Sequence, residues 1–172
     1  MRYLIVNTLT DNDEDVEGII KELTEKYDVM EVLNTSSMDI KGCIGCNYCW
    51  LKTPGICSVK DDYEELLKKY LQVDRVIFIA DTSLGFVSSR MKNIIDRVLP
   101  LATMYLRFKD GQTRHFPRYK KQIDMGIICR GQGKWQFLNH WMDRVMINIS
   151  GKSLGVYSVK NRKEIYHGLS NN

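Results

Sequence analysis

Residues 75–80 read RVIFIA, a continuous apolar run rich in β-branched side chains. A strand with one face in water alternates polar and apolar residues. This one does not, so it belongs in a sheet covered on both sides. Four further segments have similar character: RYLIVN (2–7), DVMEVL (28–33), IDMGIIC (123–129) and SLGVYSV (153–159). Between them, apolar residues recur at helical spacing. Val16, Ile19, Ile20, Leu23 and Tyr27 mark one helix face, and Tyr63, Leu66, Leu67, Tyr70 and Leu71 a second. Met91, Ile94, Ile95, Val98 and Leu99 follow a Ser88 cap, and Leu138, Trp141, Met142, Val145 and Ile149 form the last set.

Strands alternating with helices imply right-handed crossovers and a parallel sheet with helices on both faces. Five strands in 172 residues suit an α/β, flavodoxin-like three-layer sandwich with a five-stranded parallel sheet in the order 2-1-3-4-5. The six-strand dinucleotide fold needs more chain. The whole of 1–172 reads as one domain, with a cysteine loop at 42–60 and a basic insertion at 105–121. The tail after residue 159 is short and polar, so no full closing helix is expected. In such sheets ligands sit at the carboxyl ends of the strands, where the strand order reverses. That directs attention to the loops 7–15, 42–60, 81–88 and 129–134.

The hydrophobic fraction of 44% is that of an ordinary globular chain and excludes disorder. No apolar run approaches the roughly 18 residues of a membrane span, so no membrane partner is expected. MRYLIVN lacks the charged and long apolar regions of a signal peptide, and the expected location is cytoplasmic. There thiols stay reduced, and the odd count of 5 cysteines also argues against a disulfide framework. A net charge of +4 is too weak to indicate nucleic acid.

Four of those cysteines crowd one segment. Cys43, Cys46, Cys49 and Cys57 follow C-x2-C-x2-C-x7-C. Gly42, Gly45 and the Thr53–Gly55 bend permit the tight turns that bring thiols toward one centre. Four converging thiolates suit a [4Fe–4S] cluster or a structural zinc, and the compact run is closer to cluster spacing. Equally, small reduced side chains can simply pack a loop. The fifth, Cys129, reads as a buried strand end.

The segment CIGCNYCWLKTPGICSVKDD resembles the cysteine loop of the iron–sulfur flavoproteins, within the flavodoxin-like NAD(P)H-dependent FMN reductases. DTSLGFVSSRMKNIIDRVLP resembles the flavin loop and following helix of that group. The resemblance implies FMN at the strand ends, a small-molecule or protein electron donor, and in some members a [4Fe–4S] cluster on Cys43, Cys46, Cys49 and Cys57. It places the phosphate near Asn7, Thr8 and Thr10, and the ring near Thr82, Ser83, Leu84, Gly85 and Phe86, with Trp50 a second aromatic for its flank. Arg130 and Gly131, in CRGQGK, can meet a phosphate or a flavin carbonyl. The first loop departs from the family. NTLTDNDED has no glycine, and Asp11, Asp13, Glu14 and Asp15 put negative charge near the phosphate position, while also suiting the first turn of a helix.

The expected function is therefore an FMN-dependent redox protein. It would pass electrons from a reduced nicotinamide or ferredoxin-type donor to an acceptor, with no catalytic side chain assigned. The alternative is a flavodoxin-like binding or assembly module that has lost FMN, and a third reading is a thiol-based redox sensor. Ser88 and Ser89 read as helix-start residues, and His115 and His140 as structural. RFKDGQTRHFPRYKK (107–121) reads as a solvated hairpin or oligomer contact, and with a poorly covered sheet face it favours a homo-oligomer.

Overall fold

The computed structural model describes residues 1–171. Its central sheet runs β2 (Asp28–Asn34), β1 (Arg2–Asn7), β3 (Arg75–Ser83), β7 (Asp124–Arg130), β8 (Ser153–Ser158). These five are parallel, in the order expected from the sequence. The sheet nevertheless has six strands, not five. A two-residue strand β4 (Phe86–Val87) folds back antiparallel on the end of β3.

Period-2 alternation sends successive side chains to opposite faces. Leu4, Val6, Val76, Phe78, Met125 and Ile127 face one layer: α3 (Tyr63–Tyr70), α4 (Ser89–Asp96) and α5 (Trp135–Ile149). Tyr3, Ile5, Ile77, Ile79 and Ile128 face the other, α1 (Glu14–Lys26) and α6 (Arg162–Asn171). The run RVIFIA is buried throughout because both layers cover it. Ser88 caps α4 by accepting from the Met91 N–H, as its position predicted.

α6 corrects the expectation of an open face. The tail is polar along most of its length, but Ile165 and Leu169, one turn apart, are both buried against the sheet layer. Arg162 and Tyr166 both donate to Glu22 of α1, which anchors the helix laterally. An uncovered sheet face therefore gives no support to self-association.

The basic insertion forms a separate antiparallel ribbon, β5 (Ala102–Lys109) with β6 (Gln112–Pro117). Asp110 (φ 53°) and Gly111 (φ 71°) make its two-residue turn, the positive-φ pair that matches strand twist. Arg118 fastens its base, donating through Nε to Pro100 O (3.0 Å) and through Nη2 to Ala102 O (3.1 Å). Tyr105 and Phe108 are exposed on it. No helix among the described residues is long and apolar enough to cross a membrane.

Candidate functional site

The carboxyl ends of β1, β3 and β7 meet at one rim, where the loops named above converge. The β1–α1 loop is largely committed to its own structure. Thr8 is buried and donates through Oγ1 to Ile79 O at 2.8 Å. Asn7 spans to β2, its Nδ2 donating to Asn34 Oδ1 (3.0 Å), while its Oδ1 accepts from Leu9 N (3.1 Å). Asp13 caps α1 by accepting from Val16 N at 3.1 Å. Glu14, Asp15 and Glu17 fill the first turn, where the helix dipole favours acids. Thr10, the third residue read as a phosphate contact, is exposed.

Arg130, at the end of β7, reaches across this rim. Nε and Nη2 form a two-point bond to Asp81 (2.6 and 3.0 Å). Nη2 and Nη1 form a second to Asp11 (2.9 and 3.1 Å), and Nη1 also donates to Asp13 Oδ2 (3.4 Å). A guanidinium has five N–H donors, and these contacts employ all of them. The Arg130 hydrogen bond holds the Asp11 carboxyl below its usual range, and the Asp81 and Asp11 carboxylates hold the guanidinium charged.

The β3 and β7 loops are sewn together. Thr82 Oγ1 donates to Arg130 O (3.1 Å), and Lys134 N donates to Gly85 O (3.2 Å) beside a Gly85–Gly133 bridge. Ser83 pairs with Phe86, so Leu84 (φ 52°) and Gly85 (φ 79°) form the intervening turn. Leu84 is wholly exposed in a left-handed conformation that glycine adopts far more easily. Gly131 is required by space: at φ 95°, a Cβ would lie 2.5 Å from Thr82 Oγ1. Phe86 points into the α5 layer, 4.8 Å from Trp141 between ring centroids. Trp50 stacks on His115 and donates through Nε1 to Leu99 O (2.9 Å). Both aromatics named for the ring's flank thus have packing partners.

Two cavities lie at this end of the molecule, and Asp13 lines both. One, about 700 Å³, is bounded by Asp13, Arg130, the Gly131–Gly133 loop, Trp135 and Lys160. The other, about 400 Å³, lies over Asn7, Asp11, Val32 and Asn34.

The cysteine loop forms a separate feature beside the base of the ribbon. Gly45 and Asn47 take positive φ and lead into the single turn α2 (Tyr48–Leu51). Arg118 Nη2 donates to Cys49 O (3.3 Å), tying the loop to the ribbon. Cys43 is exposed, Cys46 and Cys57 half-buried, and Cys49 buried. Cys46 Sγ lies 3.0 Å from Ser58 Oγ, a bond that lowers the thiol pKa. Burial, with the neighbouring Cys57, Cys43 and Cys46, pushes Cys49 up. The sulfurs are thus neighbours, with the donor chemistry of a cluster. Yet among the described residues no three His, Cys, Asp or Glu side chains are close enough to hold a metal ion together. Cys129 is buried inside β7, apart from them.

Known proteins place this arrangement. No family model matches the chain. An iron–sulfur flavoprotein of Methanocaldococcus jannaschii is 33% identical over 97 residues, 56% of this chain and 49% of that protein. One from Archaeoglobus fulgidus is 30% identical over 132 residues, 76% of this chain and 54% of that protein. The chain is iron–sulfur flavoprotein-like. The iron–sulfur flavoprotein-like chain spans about half the length of these curated relatives. Its fold is shared with an NAD(P)H:quinone oxidoreductase from Methanothermobacter marburgensis (TM-score 0.63, 11% identity, 99% of this chain and 94% of that one). The resemblance read from the cysteine loop and the β3 loop therefore stands: the relatives matched in sequence are iron–sulfur flavoproteins, and the fold is that of a flavodoxin-like reductase.

Proposed function

We propose that this chain is a flavin-dependent redox domain, taking electrons from a reduced nicotinamide or ferredoxin-type donor and passing them to an acceptor. The observation that carries this reading is the 130–134 loop, joined to the 82–86 loop, whose residues Arg130 to Gly133 line a cavity of about 700 Å³ in a chain whose relatives are flavoproteins; none of Thr82 to Phe86 lines that cavity. That volume lies within the roughly 300–1,000 Å³ of small-molecule sites. A flavin held there would supply hydride acceptance and single-electron release. The chain's own part is positioning. The Gly85–Gly133 bridge and the Thr82–Arg130 bond fix the two loops, and Trp135 and Lys160 line the space between α5 and the end of β8.

The fit is uneven. The cavity accommodates a ring system. The β1–α1 loop fits the phosphate of FMN poorly, because Asn7, Thr8 and the Val16 N–H are already bonded and Asp11 and Asp13 hold Arg130. The four loop cysteines have the right chemistry for a [4Fe–4S] cluster, but among the described residues they do not form a group that could hold a metal ion as they are. No electron-transfer step is therefore assigned through either group. The same observations favour a second reading, a binding or assembly module of the flavodoxin-like class that no longer takes FMN.

We place the domain in the cytoplasm as a homo-oligomer associating through the exposed ribbon residues Tyr105 and Phe108. Sedimentation of wild type and of Y105S/F108S tests the last point. A monomeric wild type at tens of micromolar rejects it.

Purification without oxygen, followed by a visible spectrum and metal analysis, tests the redox reading. Flavin bands, with or without broad cluster absorption, are expected. A colourless protein that takes up no flavin leaves the binding-module reading standing alone.

A further inference from the structure

We propose that the rim discriminates against the 5′-phosphate of its flavin, so that the dephosphorylated form, riboflavin, binds more tightly than FMN. The inference rests on the flavin-dependent reading of the same site and sharpens its ligand class.

A phosphate needs donors, and at the β1–α1 loop the side chains of Arg130, Thr8 and Asn7 that would supply them are already engaged. All five N–H donors of Arg130 point at Asp81, Asp11 and Asp13. At the N-terminus of α1, where backbone amides ordinarily attract an anion, the Asp13 carboxylate already accepts from Val16 N at 3.1 Å. Thr8 Oγ1 is buried and bonded to Ile79 O, and the Asn7 amide is bonded at both atoms. Asp11 and Asp13 thus do for Arg130 and for α1 what a phosphate would do.

A phosphate also needs net positive charge, and the β1–α1 side of the rim has the opposite, with Lys160, among the described residues, the one other cation lining the larger cavity. Three carboxylates face one guanidinium, with Glu14, Asp15 and Glu17 immediately beyond in the first turn of α1. A dianion arriving here would meet like charges at short range and would have to break a clasp of hydrogen-bonded ion pairs to gain a donor. An uncharged ribityl chain meets neither obstacle. The isoalloxazine ring can occupy the larger cavity, beside Trp135 and the Gly131–Gly133 loop, without disturbing Arg130's carboxylate partners.

The test is a fluorescence titration of the purified full chain with riboflavin and with FMN at low and high salt. Riboflavin is expected to bind at least about tenfold more tightly than FMN at low salt, and the difference should shrink as added salt screens the rim. The D11N/D13N variant keeps the side-chain shapes and an asparagine cap on α1. It should tighten FMN relative to riboflavin, while a thermal melt verifies that it folds. FMN binding as tightly as riboflavin, or more so, to wild type overturns the inference and leaves the flavin reading intact. A ratio unmoved by D11N/D13N and by salt overturns the assignment to these carboxylates. If neither flavin binds, the flavin reading falls and this inference with it.

Discussion

Arg97 and Asp61 form an ion pair that solvent does not reach, their side chains 1% and 0% exposed. Arg97 lies on the turn after α4, and Asp61 lies just past the cysteine loop. The arginine also donates to Lys41 O (3.0 Å) and Val59 O (3.3 Å), one at each end of that loop, and lies over the Tyr63 ring. Asp61 accepts from Lys41 N (2.9 Å) and Tyr63 N (3.1 Å). One buried pair therefore closes the neck of the segment that carries four thiols, with Cys57 beside the guanidinium.

Removing one partner leaves a buried charge without its counter-charge, which costs about 3–5 kcal/mol. Asp61→Asn is expected to lower stability by that order in chemical denaturation. It should also expose residues 41–60 to limited proteolysis. An apolar pair of similar volume, Arg97→Met with Asp61→Leu, should recover a large part of the loss, because neither charge then needs desolvating. A double variant no better than Asp61→Asn would mean that Arg97's bonds to Lys41 O and Val59 O, rather than the pair, carry the stabilisation.

The pair also sets an acid limit. Burial raises the Asp61 carboxyl, but Arg97 and the Lys41 and Tyr63 N–H groups outweigh it, so its folded pKa lies below the usual value. A depressed folded pKa contributes stability above the unfolded value of roughly 3.9, and that contribution is lost as pH falls through the folded pKa. Melting temperature should fall more steeply for wild type than for Asp61→Asn below about pH 4. Parallel curves would remove Asp61 from the account of acid unfolding.

Gly131 offers a test of the joined loops. Alanine there combines a φ of 95° with a Cβ 2.5 Å from Thr82 Oγ1. Gly131→Ala should destabilise by about 1–3 kcal/mol. Thr82→Ala removes the clashing oxygen, so in Thr82→Ala/Gly131→Ala part of the cost should return. The strained φ keeps the rest. A double-mutant cycle reads the coupling directly. Additive effects would show that the two loops are not mechanically joined through this contact.

The parallel core was legible because its strands are buried on both faces and leave apolar runs that need no tertiary information. What lacked a local signature was missed. β4 is only Phe86–Val87, too short for a periodic pattern, although a glycine directly before it hints at a fold-back. α6 has two buried apolar residues and is anchored by Glu22, 140 positions away from Arg162 in sequence. The Asp-Gly turn of the ribbon was in plain view as KDGQ. Arg130 shows the deeper limit. Its sequence neighbourhood suggested a free cation for a ligand, whereas its partners come from three separated positions, Asp11, Asp13 and Asp81. Only the parallel register, which sets Asp81 opposite Arg130 at adjacent strand ends, brings them together.

The thiols can be ordered by reactivity, which depends on exposure and on the thiolate fraction. In reduced, cofactor-free protein near pH 8, exposed Cys43 and half-buried Cys46 should alkylate first, Cys46 being helped by Ser58. Buried Cys49, its pKa raised, should follow slowly, and Cys129, pushed up to about 12 by burial, should react last. Relative to an ordinary thiol near 8.5, Cys129 therefore has a far lower thiolate fraction. Mass spectrometry of a timed iodoacetamide reaction reads this order. Repeating it after anaerobic incubation with iron and sulfide separates ligands from bystanders. Closure of a cluster should protect Cys43, Cys46, Cys49 and Cys57 together and leave Cys129 as it was. Cys43 alkylating at an unchanged rate would show that the loop does not close around a cluster, and that its thiols pack or sense rather than ligate.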